Sequence, residues 1–64
     1  MYKVQYMNYK TKERSEEEFK QPIDALTRWL TMMQEKEIDI CGLRIFNPKD
    51  EDITSKVINF IIRM

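Results

Sequence analysis

Sixty-four residues leave room for one domain, of a size that buries only about 60% of the surface its unfolded chain exposes and is marginal without support. Eleven basic and eleven acidic side chains cancel, and with 42% hydrophobic and 34% charged residues the chain has neither the composition of disorder nor a bulk attraction to DNA or anionic membrane. One cysteine and no histidine exclude an internal disulfide and a zinc site of the usual kind, which leaves self-association or a partner as the expected support.

At the N-terminus, Tyr2 and Lys3 stand where a secretory signal would have a basic start and an apolar run, and no window approaches the roughly 20 apolar residues of a membrane span. The expectation is a cytoplasmic protein that does not enter a membrane. The unpaired Cys41 agrees with a reducing compartment. From Tyr2 to Tyr9 the residues alternate, with Tyr2, Val4 and Tyr6 on one face and Lys3, Gln5, Met7 and Tyr9 on the other, as in a half-buried strand. Asn8 to Arg14 supplies turn-tolerant polar residues. Ser15 to Phe19 predicts a short second strand at a sheet edge, where Glu16, Glu17 and Glu18 form a solvated, edge-protecting face or, second, an acidic patch for a partner. The alternative lets the three glutamates open the following helix early, where negative charge is favoured.

Pro22 suits the first position of a helix because its missing N–H has no partner there in any case, and Asp24 adds a favourable first-turn charge. The apolar spacing predicts a helix from Pro22 to Lys36. On its wheel Ile23, Leu26, Leu30 and Met33 form a compact stripe, read as core, while Ala25, Trp29 and Met32 continue it around one flank. That shoulder either finishes the small core or, with Arg28 and Lys36 at its rim, forms a contact surface. Ile40 to Phe46 then reads as a buried strand in which Cys41 is a small core residue.

Asn47-Pro48 closes that strand and offers a capping residue and a first-turn proline to a second helix, with Asp50, Glu51 and Asp52 as its charged first turn. On the wheel Ser55, Lys56, Asn59 and Arg63 share a polar arc, Ile53, Val57, Phe60, Ile61 and Met64 lie opposite, and Ile58 and Ile62 occupy the margin. The strict alternation of Ile58, Phe60, Ile62 and Met64 supports a strand as the competing reading. The expected fold is a single α+β domain over residues 1–64, in the order β-β-α-β-α, with β-β-α-β-β as the alternative.

Chemistry is argued against by what the chain lacks. No histidine can act as a base near neutral pH, Cys41 has no histidine to activate it, and a single glycine cannot build a phosphate-cradling loop. Counted from Asp50, a calcium loop of the EF-hand type needs glycine and glutamate where Ser55 and Ile61 stand. No enzyme activity, cofactor or metal is expected.

Two binding functions remain. The first is a protein-interaction module, a small cytoplasmic adaptor or inhibitor of a larger protein, docking through Ala25, Arg28, Trp29, Met32 and Lys36. Trp is enriched at binding hot spots, and five methionines add adaptable contact area. Self-association into a homodimer, through this surface or edge to edge through the sheet, belongs to the same reading. The alternative is single-stranded nucleic acid held by Tyr9, Lys10, Lys12 and Arg14 at the basic, aromatic N-terminal strand. An isoelectric point of 6.2 weighs against it. Size and missing catalytic residues are compatible with an accessory protein of a bacterium or phage.

Overall fold

The computed structural model describes residues 1–63 and follows the order β-β-α-β-α. Strands β1 (Tyr2–Met7), β2 (Arg14–Phe19) and β3 (Arg44–Phe46) form one antiparallel sheet in the order β2-β1-β3, and helices α1 (Pro22–Met33) and α2 (Thr54–Ile62) complete the α+β fold. The β-β-α-β-β alternative falls because residues 54–62 are helical. Met64, placed in the apolar arc of the second helix, lies outside the described residues.

Register explains how a strand with three consecutive glutamates forms at all. Val4 stands between Glu17 and Ile45, so these three residues share the face covered by α1, and Arg28 of α1 reaches down to donate from Nε to Glu17 Oε2 at 3.3 Å. On the open face Gln5 stands opposite Glu16 and donates from Nε2 to its Oε1 at 3.0 Å, while Lys3 is the cross-strand partner of Glu18. Each carboxylate therefore has a compatible neighbour, and β2 needs only one pairing partner because it lies at the sheet edge.

The core consists of Val4, Ala25, Trp29, Met32, Leu43 and Ile45, with Tyr2, Tyr6, Phe19, Leu30, Met33, Ile38, Ile53, Val57 and Ile61 packed around it. The side of α1 that meets the sheet is therefore the Ala25, Trp29, Met32 shoulder, not the Ile23, Leu26, Leu30, Met33 stripe expected from the wheel. Leu26, Leu30 and Met33 are half-buried, and Ile23 is 64% exposed. The reason is bulk: seating the i, i+4, i+7 row puts Trp29 and Met32 over the sheet, and Ala25 lets the backbone approach closely. The two rows lie about a third of a turn apart, so α1 has rolled by that amount relative to the expectation.

α1 stops at Met33 rather than Lys36. Gln34 and Glu35 donate to Thr31 and Met32 carbonyls three residues back, which tightens the last turn. The chain must reverse there, because residues 37–39 run beside β1: Tyr9 N donates to Glu37 O at 2.7 Å and Asp39 N to Met7 O at 2.9 Å.

The continuous strand expected over Ile40–Phe46 is also corrected. β1 has two short partners on this side, Ile38 opposite Asn8 and Arg44–Phe46 opposite Lys3–Gln5, with a 3₁₀ turn at Ile40–Gly42 between them. Gly42 is the residue that permits this. A Cβ there would meet Met7 Cε at 2.7 Å and Met7 Cβ at 2.9 Å, so the turn can press against β1 only without a side chain. Cys41 consequently sits at the outside of the turn and is exposed, not buried.

Between β3 and α2, Asn47 organises a turn instead of starting a helix. Its Oδ1 accepts from Lys49 N at 3.0 Å and Glu51 N at 2.9 Å, and Asp50 takes a positive φ of 62°. The helix begins seven residues later, with Asp52 serving its N-terminus: Oδ1 accepts from Thr54 N at 2.9 Å and from Thr54 Oγ1 at 2.6 Å. Asp50, Glu51 and Asp52 thus precede the helix and do not form its first turn.

Candidate interaction surfaces

The five residues expected to form a docking patch on α1 are not a surface. Ala25 is fully buried, and Trp29 and Met32 are 1% exposed. Arg28 is half-buried in its ion pair with Glu17, and Lys36 lies in the turn beyond the helix end. The shoulder finishes the core. The Trp29 indole Nε1 has no hydrogen-bond partner among the described residues, so this side chain is held by packing alone.

The second candidate group lies together at the tip of the β1–β2 hairpin. Tyr9, Lys10, Lys12 and Arg14 are all exposed there. Asn8 builds the tip, its Oδ1 accepting from Lys10 N at 2.8 Å and Thr11 N at 3.0 Å, and Lys12 turns the chain with a φ of 62°. Tyr9 is already engaged: the Lys12 ammonium lies 5.0 Å from its ring centroid and also reaches Asp39 Oδ2 at 3.4 Å. A base stacking on that face would displace a cation that the protein itself supplies. Tyr2 and Tyr6 pack against the core and add nothing to a stacking platform.

The acidic run does not converge. Asp50 accepts from Lys3 Nζ at 3.1 Å, Glu51 Oε1 accepts from Asn47 Nδ2 at 3.2 Å, and Asp52 binds Thr54. Lys3 is held above the ordinary lysine range by its hydrogen bond to Asp50 and by that residue's charge. Asp52 is held below the ordinary carboxylate range, chiefly by the Thr54 hydroxyl, then by the Thr54 N–H and the Arg44 guanidinium at 3.8 Å. The Glu51 and Asp52 contacts are local to the turn, and Lys3–Asp50 ties that turn to β1. On the open side of the hairpin an exposed depression of about 320 Å³ is bordered by Gln5, Tyr6, Arg14, Ser15 and Glu16, a mixed polar lining with no nucleophile and base in contact.

What the sequence reading missed is on α2. Its buried side is Thr54 with half-buried Val57 and Ile61, while Ile58, Phe60 and Ile62 are 38%, 64% and 76% exposed. Phe60, expected in the core arc, is therefore on the surface. The physical reason is that α2 rests chiefly on the three-residue strand β3, which is too narrow to cover an apolar arc of about 200°. The signal was present in the sequence as the marginal positions of Ile58 and Ile62.

The sheet edges differ in accessibility. The outer edge of β3 is closed by the chain leading into α2, since Ile53 N donates to Ile45 O at 3.0 Å and Ile45 N donates to Thr54 Oγ1 at 3.0 Å. β2 is the open edge, and it presents the glutamates. No helix among the described residues is long and apolar enough to cross a membrane. Comparison with protein families, curated proteins and solved structures gives no match to this chain.

Proposed function

We propose that this domain is a non-enzymatic protein-interaction module, an adaptor or inhibitor working in the cytoplasm, whose docking element is helix α2. The observation that carries the reading is the exposure of Ile58, Phe60 and Ile62 on a helix of nine residues. Exposed large apolar side chains scattered singly are ordinary, whereas adjacent ones mark an interaction site, and Ile58 and Ile62 are adjacent, one turn apart, while Phe60 lies on the other flank. Support also comes from the core, whose six buried apolar side chains leave a domain of this size to gain from further burial.

The surface first expected for this function, centred on Trp29, is replaced in the proposal by one on the other helix. The nucleic-acid alternative is weakened because the exposed Tyr9 ring already faces Lys12. Titration with a labelled single-stranded oligonucleotide at low salt tests it directly: salt-dependent binding that Lys10→Glu weakens would restore it. For the protein-binding reading, the immobilised chain is offered native cell extract beside its Ile62→Glu and Phe60→Glu variants. A protein captured by the native chain and lost with either variant supports docking through α2. Capture that is indifferent to both removes it.

A further inference from the structure

Of the two sheet edges, β3 is closed by residues 52–54 and β2 is open. β2 runs six residues without proline, glycine or bulge, so only its charges guard it. Which of its main-chain groups face outward follows from the hairpin. Asn8 N donates to Glu13 O at 2.9 Å, and that phase turns Ser15, Glu17 and Phe19 toward β1. The N–H and C=O groups of Arg14, Glu16 and Glu18 therefore point away from the sheet, and their side chains share the open face with Met7, Gln5 and Lys3. Among the described residues none of these three charged side chains makes an ion pair.

A second copy added antiparallel to this edge has a restricted choice of register. Outward residues meet only outward residues, so full overlap, with Arg14 opposite Phe19, is excluded because Phe19 turns inward toward Tyr2. The nearest allowed pairings lie one residue to either side. One sets Glu16 opposite Glu18 twice and Glu17 opposite Glu17. The other sets Arg14 opposite Glu18 on both sides of a two-fold axis through the Glu16 pair, and Ser15 opposite Glu17, which already holds its own Arg28. A further slip that brings Arg14 opposite Glu16 leaves residues 14–16 alone in overlap. Helix α1 does not obstruct the approach. It is centred over β1, so the two copies' helices stand three strand spacings apart, about 14 Å, beyond the roughly 8–10 Å of helices in contact.

We propose that two copies of this chain pair antiparallel through β2, with Glu16 on the two-fold axis and Arg14 against Glu18 of the other copy, in one six-stranded sheet. Charge selects the occupant: the edge reads basic, acidic, acidic, and a second copy meets it with acidic, acidic, basic. Two of three positions are complementary, and the like-charged third limits the affinity. This edge lies across the sheet from α2, so the pairing stands or falls apart from docking at that helix.

Sedimentation velocity of the full chain from micromolar to millimolar concentration tests it. The expected result is a reversible rise toward twice the monomer mass. Arg14→Glu sets glutamate against Glu18 on both sides of the axis and should raise the dissociation constant about tenfold or more, and Glu18→Arg should do the same by opposing Arg14. The double variant exchanges the two charges and should return the constant to within about threefold of the native one. Glu16→Gln removes the like charges at the axis and should tighten the dimer several-fold, whereas in a pairing of Arg14 with Glu16 it would loosen it. Circular dichroism at low concentration should match the native chain for each variant. If a reversed charge unfolds the hairpin, Arg14→Gln and Glu16→Gln still decide, the first loosening the dimer and the second tightening it. A native chain that stays monomeric at millimolar concentration overturns the pairing, as does a double variant no better than Arg14→Glu alone. A dimer dissociated by Ile62→Glu and untouched by Arg14→Glu belongs to α2 and overturns it too.

Discussion

Helices α1 and α2 are each a little over half apolar, yet they are used in opposite ways. α1 lies across the sheet and puts Ala25, Trp29 and Met32 entirely out of solvent, whereas α2 leans on β3 and leaves Phe60 and Ile62 largely outside. The difference is one of platform. α1 meets all three strands, so its apolar row finds partners along its length, while α2 has three residues of strand beneath nine of helix. Apolar content marks which residues are able to be buried, and the width of the surface below decides which of them are.

The sharpest way to break that comparison is to truncate the largest side chain of each helix. Trp29→Ala should cost about 3–5 kcal/mol. In a domain of this length, where the whole stability is on the order of 3–10 kcal/mol, that is expected to leave much of the chain unfolded in urea-free buffer by circular dichroism. Phe60→Ala should lower the unfolding free energy of the dilute protein, measured with urea, by no more than about 0.5 kcal/mol. Equal losses for the two would mean that α2 is as much a part of the core as α1.

A second substitution asks what fastens α2 to the sheet. The Thr54 hydroxyl accepts from Ile45 N and donates to Asp52 Oδ1, and Thr54 is itself buried. Thr54→Val keeps the shape and leaves a buried Ile45 N–H unpaired, for an expected loss of about 1–3 kcal/mol by urea denaturation. Thr54→Ser retains both hydrogen bonds and should cost less than half as much. If the two variants are equally destabilised, the hydroxyl is not the fastening.

Gly42→Ala should cost about 1–3 kcal/mol, because the new methyl group overlaps Met7 and either that side chain or the turn must move. Pairing it with Met7→Ala, which removes the Cε overlap but keeps Met7 Cβ at 2.9 Å, should recover part of the loss in a double-mutant cycle.

The smallest effect is in acid. Asp52 titrates below its ordinary value in the folded chain, so its contribution is present above the unfolded pKa and is lost as pH falls through the folded one. Asp52→Asn should therefore lose a little stability near neutrality, where the charged form contributes, and decline less steeply than the native chain below about pH 4. The effect is expected to be small because the Asp52 side chain is 43% exposed.

The order of elements was legible because each carries a local signal: alternation in β1, proline and acid at the start of α1, and segregated faces in α2. The roll of α1 was not legible, since a wheel weighs all apolar residues alike, while Trp29 and Met32 together outweigh Ile23 and Leu26 once a sheet is present to receive them. The split of the third strand was equally hidden. Nothing local to Ile40 and Cys41 disfavours a strand, and it is the close approach of Gly42 to Met7, 35 positions apart in sequence, that seats the turn against β1. The candidate surface was half legible: the excess of apolar residues on the helices is plain in the sequence, but not that it is buried on α1 and left exposed on α2. Which helix keeps its excess depends on the dimensions of the sheet, a property of the assembled fold.

The indole N–H of Trp29, without a hydrogen-bond partner among the described residues, has an optical consequence. An indole screened from water and making no hydrogen bond emits at short wavelength, and Trp29 is the only tryptophan in the chain. The intrinsic fluorescence of this protein is therefore a single-site report on the contact between α1 and the sheet. It should move to longer wavelength only when that contact opens, and remain unchanged when something binds at α2.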